Sequence, residues 1–105
     1  MYTVTYSIET KESTMIDYIR YSDPEKGMVE VEDPDWMWSQ EIQAPAGFEV
    51  ELKVGGFGHE KVKIGFEAKH GSISRTQYKS HESLGSSSFD LSISKELEAL
   101  ATSEE

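Results

Sequence analysis

Phe48-Glu49-Val50-Glu51-Leu52-Lys53-Val54 alternates apolar and charged residues without a break, and Lys61-Val62-Lys63-Ile64-Gly65-Phe66-Glu67-Ala68-Lys69 does so again apart from Gly65. A period of two sends successive side chains to opposite faces. Each stretch therefore predicts a half-buried β-strand, with Val50, Leu52 and Val54 turned inward in one and Val62, Ile64, Phe66 and Ala68 in the other. Between them Gly55-Gly56-Phe57-Gly58-His59-Glu60 reads as a loop. The two strands then form an antiparallel hairpin in which Leu52 faces Val62, Val50 faces Ile64 and Glu51 faces Lys63. Facing opposite charges favour that register by about 0.2–1 kcal/mol, and a slip of one residue turns the apolar set outward.

The same period extends in both directions. Tyr2, Val4, Tyr6 and Ile8 share one face of a first strand, and Met15, Ile19 and Tyr21 share one face of a second. Ser22-Asp23-Pro24-Glu25-Lys26-Gly27 turns that second strand into a short third one carrying Val29 and Val31, because Pro presets φ and Gly supplies φ > 0. After Asp33-Pro34-Asp35, a fourth strand places Trp36, Trp38 and Ile42 together, which makes Trp38 a core residue. Downstream of His70-Gly71, Ser72 to Tyr78 is polar on both faces and belongs at a sheet edge. Lys79 to Ser87 reads as a Ser- and Gly-rich loop, and Phe89, Leu91 and Ile93 form the last inward face. Ser94 can cap a short helix reaching Ala101, with Leu97 and Leu100 on one side and a frayed tail beyond.

Seven or eight strands in so short a chain predict an all-β domain, an antiparallel β-sandwich in preference to a small barrel, over residues 1–94, followed by the helix and tail at 95–105. The chain has 105 residues, 20 acidic against 10 basic, a formal charge of −10 and no cysteine. That balance argues against nucleic-acid and membrane-surface binding, which depend on clustered Lys and Arg. Without cysteine there is no disulfide, thiolate zinc site or thiol chemistry. No stretch has the roughly 18–20 apolar residues of a membrane span, so this chain makes no direct membrane insertion. Nothing repeats at a fixed period as in a solenoid or propeller.

The order Tyr2-Thr3-Val4-Thr5-Tyr6, Ile19-Arg20-Tyr21, a turn at Gly27, Trp38-Ser39, Gly47-Phe48 leading into Val50-Glu51-Leu52, then Val62-Lys63-Ile64 resembles the MmpS-type domain of membrane-associated transport accessory proteins, over nearly the whole chain. The resemblance implies an immunoglobulin-like sandwich, extracytoplasmic, in the cell envelope or secreted, that supports a transporter or other envelope complex and has no catalytic activity. It carries over no catalytic residue and no cofactor. Members have an N-terminal anchor and often a cysteine pair. The sequence given has neither, which makes it a trimmed piece of a longer precursor on this reading.

Individual residues suggest chemistry only weakly. Glu30, Glu32, Asp33 and Asp35 have the oxygens a calcium loop needs, but Pro34 interrupts them and a solvated acidic face is the plainer reading. His59, His70 and His81 are 11 residues apart, too far along one strand to share a zinc ion. Ser72, Ser74 and Ser80 lie near histidines without any nucleophile motif. The remaining candidates are aromatic: Trp36, Phe57 and Tyr78 as contacts for a protein partner, or Trp36 with nearby carboxylates as a platform for a carbohydrate or other small ligand. The function expected is a non-enzymatic interaction module, with the polar strand ending at Tyr78 free to accept another strand.

Overall fold

The computed structural model describes residues 1–11, 14–31, 37–58, 61–82 and 87–98. It is all-β, with strands β1 (Tyr2–Glu9), β2 (Met15–Asp23), β3 (Gly27–Val31), β4 (Trp38–Ala44), β5 (Glu49–Gly58), β6 (Val62–His70), β7 (Ile73–His81) and β8 (Ser87–Glu96). They form two antiparallel four-stranded sheets, sheet A in the order β4-β1-β6-β7 and sheet B in the order β3-β2-β5-β8. Among the described residues no helix is long and apolar enough to cross a membrane.

The inward faces expected from the alternation are the core. Val4, Tyr6, Ile19, Val50, Leu52, Val54, Val62, Ile64, Phe66 and Ala68 are sealed from solvent, and Phe89, Leu91 and Ile93 are buried beside them. Trp38 is half-buried against the same cluster. The hairpin at Asp23–Gly27 forms as expected, with Gly27 at φ +77°, and β7 lies at the edge of its sheet.

Three expectations are corrected. β5 and β6 are not a hairpin: β5 pairs with β2 and β8, while β6 pairs with β1 and β7. Glu51 accordingly faces Ser94, and Lys63 faces Glu9 and Ser80. Alternation fixes which face of a strand is buried, and both arrangements bury the same residues, so it does not choose the neighbour. The glycines Gly55, Gly56 and Gly58 are strand residues of β5, not a loop. At the C-terminus, Ser94–Glu96 extend β8 and cap no helix, because Leu97 continues the pairing through Leu97 N to Phe48 O and Gly47 N to Leu97 O, both 2.9 Å. Residues 99–105 lie outside the described residues.

One polar group ties the sheets together. Ladder pairing between β2 and β5 stops at Tyr21 and Leu52, and the buried Ser22 hydroxyl continues it. It donates to Glu49 O (2.9 Å) and accepts from Glu51 N (2.8 Å). Tyr6, from the opposite sheet, donates its phenol to Ser22 O at 2.8 Å and lies 3.0 Å from Ser22 Oγ. These bonds satisfy backbone groups that would otherwise be orphaned in an apolar interior.

Sheet B has the strand order of sheet A with every strand advanced by four positions: β8-β5-β2-β3 against β4-β1-β6-β7. The registers correspond as well. Tyr6 faces Phe66 and Gln40 in sheet A as Val54 faces Ile19 and Leu91 in sheet B, and Val4 faces Ala68 and Ile42 as Leu52 faces Tyr21 and Ile93. The chain is thus two four-stranded halves, β1–β4 and β5–β8, whose strand order and pairing register correspond under a twofold exchange of the halves.

Tyr6→Phe is expected to cost about 1–3 kcal/mol, the range for leaving a buried partner unsatisfied, and Ser22→Ala at least as much because it strands two backbone groups. Urea titration measures both. Burial pushes the Tyr6 phenol up from 10.0 to about 12. An ionisable group raised in this way contributes stability that is complete below pH 10.0 and lost as pH climbs toward 12. Tyr18 and Tyr21 shift in the same direction. The wild-type urea midpoint should therefore fall across this window, and fall less in Tyr6→Phe.

Candidate interaction surface

Sheet B is built on close approach of β2 to β5 at two glycines, Gly55 on its outer face and Gly56 on its inner one. A Cβ at Gly55 would collide with the Tyr18 ring, and one at Gly56 would collide with the Met15 carbonyl oxygen and the Phe89 ring. Both glycines therefore leave room for β2 to lie tightly on β5. Tyr18 covers Gly55 and donates its hydroxyl to Asp90 Oδ1 at 2.6 Å on the far side of β5. That bond to the neutral phenol raises the Tyr18 pKa. The Arg20 guanidinium lies 4.8 Å from the centroid of the same ring and donates through Nε to Glu30 Oε1 at 3.0 Å.

Beyond Tyr18 the face becomes apolar. The register between β2 and β5 slips between Ile16 and Tyr18, leaving Asp17 as an extra residue. This bulge reverses the side-chain parity of the strand: Ile16 packs against the core and Met15 turns out to solvent. Met15, expected inside with Ile19 and Tyr21, is 65% exposed and faces Phe57, which is 47% exposed. The signal in the sequence was the Gly55-Gly56 pair, since glycine inside a strand marks a bulge or a close approach.

The corresponding place on sheet A has the opposite chemistry. Glu9 faces Lys63 there, and Lys63 Nζ lies 4.4 Å above the Tyr78 ring. Tyr78 is 50% exposed, and its ring covers Gly65 as that of Tyr18 covers Gly55. A cavity of about 410 Å³ is lined by Glu9, Thr10, Lys11, Lys61 and Lys63. Another, of about 270 Å³, lies beside Trp38 and includes Ser7, Glu9, Met37 and Ser39.

Phe57 and Tyr78 are therefore not brought together. Phe57 is on the outside of sheet B, Tyr78 is on the outside of sheet A with a packing role over Gly65, and Trp36 lies outside the described residues. Trp38 packs inward, 5.6 Å from the Tyr21 ring centroid. His59 also lies outside the described residues. His70 contacts Met1 O through Nδ1 at 2.9 Å and His81 stacks on Phe89, at opposite ends of the β6–β7 pair. Among the described residues no three metal-binding side chains cluster. Of the acidic segment, Glu30 pairs with Arg20, and Glu32, Asp33 and Asp35 lie outside the described residues.

Comparison with known proteins returns no matching family model, no significantly similar curated protein and no significantly similar solved structure.

The two glycines should respond differently to substitution. Gly56→Ala must push backbone against backbone and is expected to destabilise by about 1–3 kcal/mol, as overpacking does. Gly55→Ala meets a side chain that can swing away, so its cost should be smaller and accompanied by loss of the Tyr18–Asp90 bond. Thermal melts of the two variants, with the tyrosine absorbance titrated in alkali, check both statements.

Proposed function

We propose that this chain is a non-enzymatic module that binds a protein partner through the apolar end of sheet B, with Phe57 as the anchor and Met15 beside it. The observation that carries the reading is the exposure of these two large apolar side chains directly opposite each other, on a sandwich whose interior is already filled. Aromatic and Met side chains are enriched at the centres of protein interfaces, where their burial supplies most of the binding energy. The surrounding Tyr18, Arg20, Glu30 and Asp90 supply a polar rim.

The finer reading is an accessory role outside the cytoplasm, in a transport or cell-envelope complex. It rests on the resemblance of the quoted motifs to the MmpS-type domain. The strand order adds no support to the immunoglobulin-like part of that resemblance, because an immunoglobulin sandwich orders its sheets ABED and CFG, whereas here β1 lies between β4 and β6 and β3 pairs with β2, although the β2–β5 pairing is common to both. The cavity beside Trp38 favours a second reading, a small-ligand or carbohydrate site.

A photo-crosslinking residue at position 57 is expected to trap one discrete partner from envelope extracts of the source cells, and Met15→Ser in the same chain should reduce the yield at least threefold. The same residue at position 41, on the outer face of sheet A, should trap nothing. Equal products from both positions, or none, rule the surface out. Titration with a sugar panel separates the second reading: tryptophan emission that does not move removes it.

A further inference from the structure

The twofold correspondence of the halves divides the chain in an unusual way. Each half contributes two strands to each sheet, β4·β1 and β2·β3 from residues 2–44, β8·β5 and β6·β7 from residues 49–96. The two central pairings, β1·β6 and β2·β5, both run between halves. Neither half holds a complete sheet, and isolated two-stranded ribbons are marginal in water, so each half needs the other to bury its faces. Further bonds across the boundary include Ser22 to Glu49 and Glu51, Tyr18 to Asp90 and Tyr2 Oη to Glu98 O.

Only Pro45-Ala46-Gly47-Phe48 joins the halves covalently. The same exchange of halves maps this linker, between β4 and β5, onto the place between the end of β8 and the start of β1. There the chain has no covalent connection, yet the ends are held together by the 3.1 Å bond from Tyr2 to Glu98. The fold thus has one covalent junction between its halves where its symmetry provides for two. Nothing in the pairing of the halves depends on their belonging to the same molecule.

We propose that the halves are interchangeable association units and that the partner this arrangement fits is a second copy of the same chain. β1–β4 of one molecule pairs with β5–β8 of the other, and the reverse, to give an exchanged dimer of two native sandwiches. Every contact in each sandwich is one already made within the monomer, so the exchanged end state differs only at the Pro45–Phe48 hinge, where the 3.2 Å turn bond from Phe48 N to Pro45 O opens, and it is reached by separating and re-pairing the halves.

Complementation between full-length chains tests this. Ile19 and Phe66 occupy equivalent central positions of β2 and β6, both sealed from solvent, and Ile42 and Ile93 are equivalent in β4 and β8. One chain carries Ile19→Asp with Ile42→Asp, which disables its first half. The other carries Phe66→Asp with Ile93→Asp, which disables its second half; buried unpaired carboxylates leave each chain unfolded alone. Refolded together in equal amounts, they are expected to recover about half of the near-ultraviolet circular dichroism of the same mass of wild type, on particles containing two chains by light scattering, with recovery falling on dilution. Two chains disabled in the same half, one by Val4→Asp and the other by Ile19→Asp, should recover nothing. A mixed sample that equals the sum of its separately refolded components overturns the proposal, and so does recovery in the same-half pair.

Discussion

Ser22 is where the sheets, and the two halves of the chain, are tied to each other. Its hydroxyl occupies a gap in the β2–β5 ladder and satisfies a carbonyl and an amide of β5, while its carbonyl and hydroxyl meet the Tyr6 phenol arriving from sheet A. Elsewhere the interior is held by close-packed apolar side chains, an attraction with little directional preference. A hydrogen-bonded group in such a setting acts differently, because any register that displaced Tyr6 from Ser22 would leave several buried polar groups without partners. The network therefore selects one alignment of the two faces out of those that hydrophobic packing alone would accept.

Most face assignments were legible in the sequence, whereas of the two hairpins expected the β2–β3 pair forms and the β5–β6 pair does not. Val50, Leu52, Val54, Val62, Ile64 and Phe66 announce their burial by alternation, and the structure buries them all. The hairpin proposed between their strands was the simplest closure of the chain, yet both stretches keep the same buried face when they lie in opposite sheets. Choosing between those outcomes depends on contacts with β1, β2 and β8 that no local window contains. Met15 shows a second limit, since one extra residue at Asp17 inverts the parity on which its placement was based. The helix expected to start at Ser94 does not begin there for a related reason: Leu97 finds backbone partners at Gly47 and Phe48, and tertiary pairing outweighs a capping serine.

The correspondence between the two halves was invisible in the sequence for a physical reason as well. Equivalent positions need only be apolar or polar together, so Ile19 corresponds to Phe66, Tyr21 to Ala68 and Trp38 to Phe89, and no sequence period survives. What the two halves retain is backbone register. Their surfaces have meanwhile diverged, with Glu9 and Lys63 in the place that Phe57 and Met15 occupy on the other sheet. A common scaffold that keeps a charged pair on one side and exposes an apolar pair on the other points to Phe57 and Met15 as the residues of interest. Tyr78 is as exposed but is accounted for by the glycine beneath it. Of the two aromatic candidates among the described residues, Phe57 is the one left without a glycine to cover.

The bond between Tyr2 and Glu98 has a mechanical consequence. It gathers the beginning of β1 and the end of β8 at one pole of the sandwich, near the Asp23–Gly27 turn, while Phe57 and Met15 lie at the other pole. The two strand ends that this bond joins and the exposed apolar pair therefore lie a full strand length apart, so load on one pole reaches the other only through the ladders of the central strands.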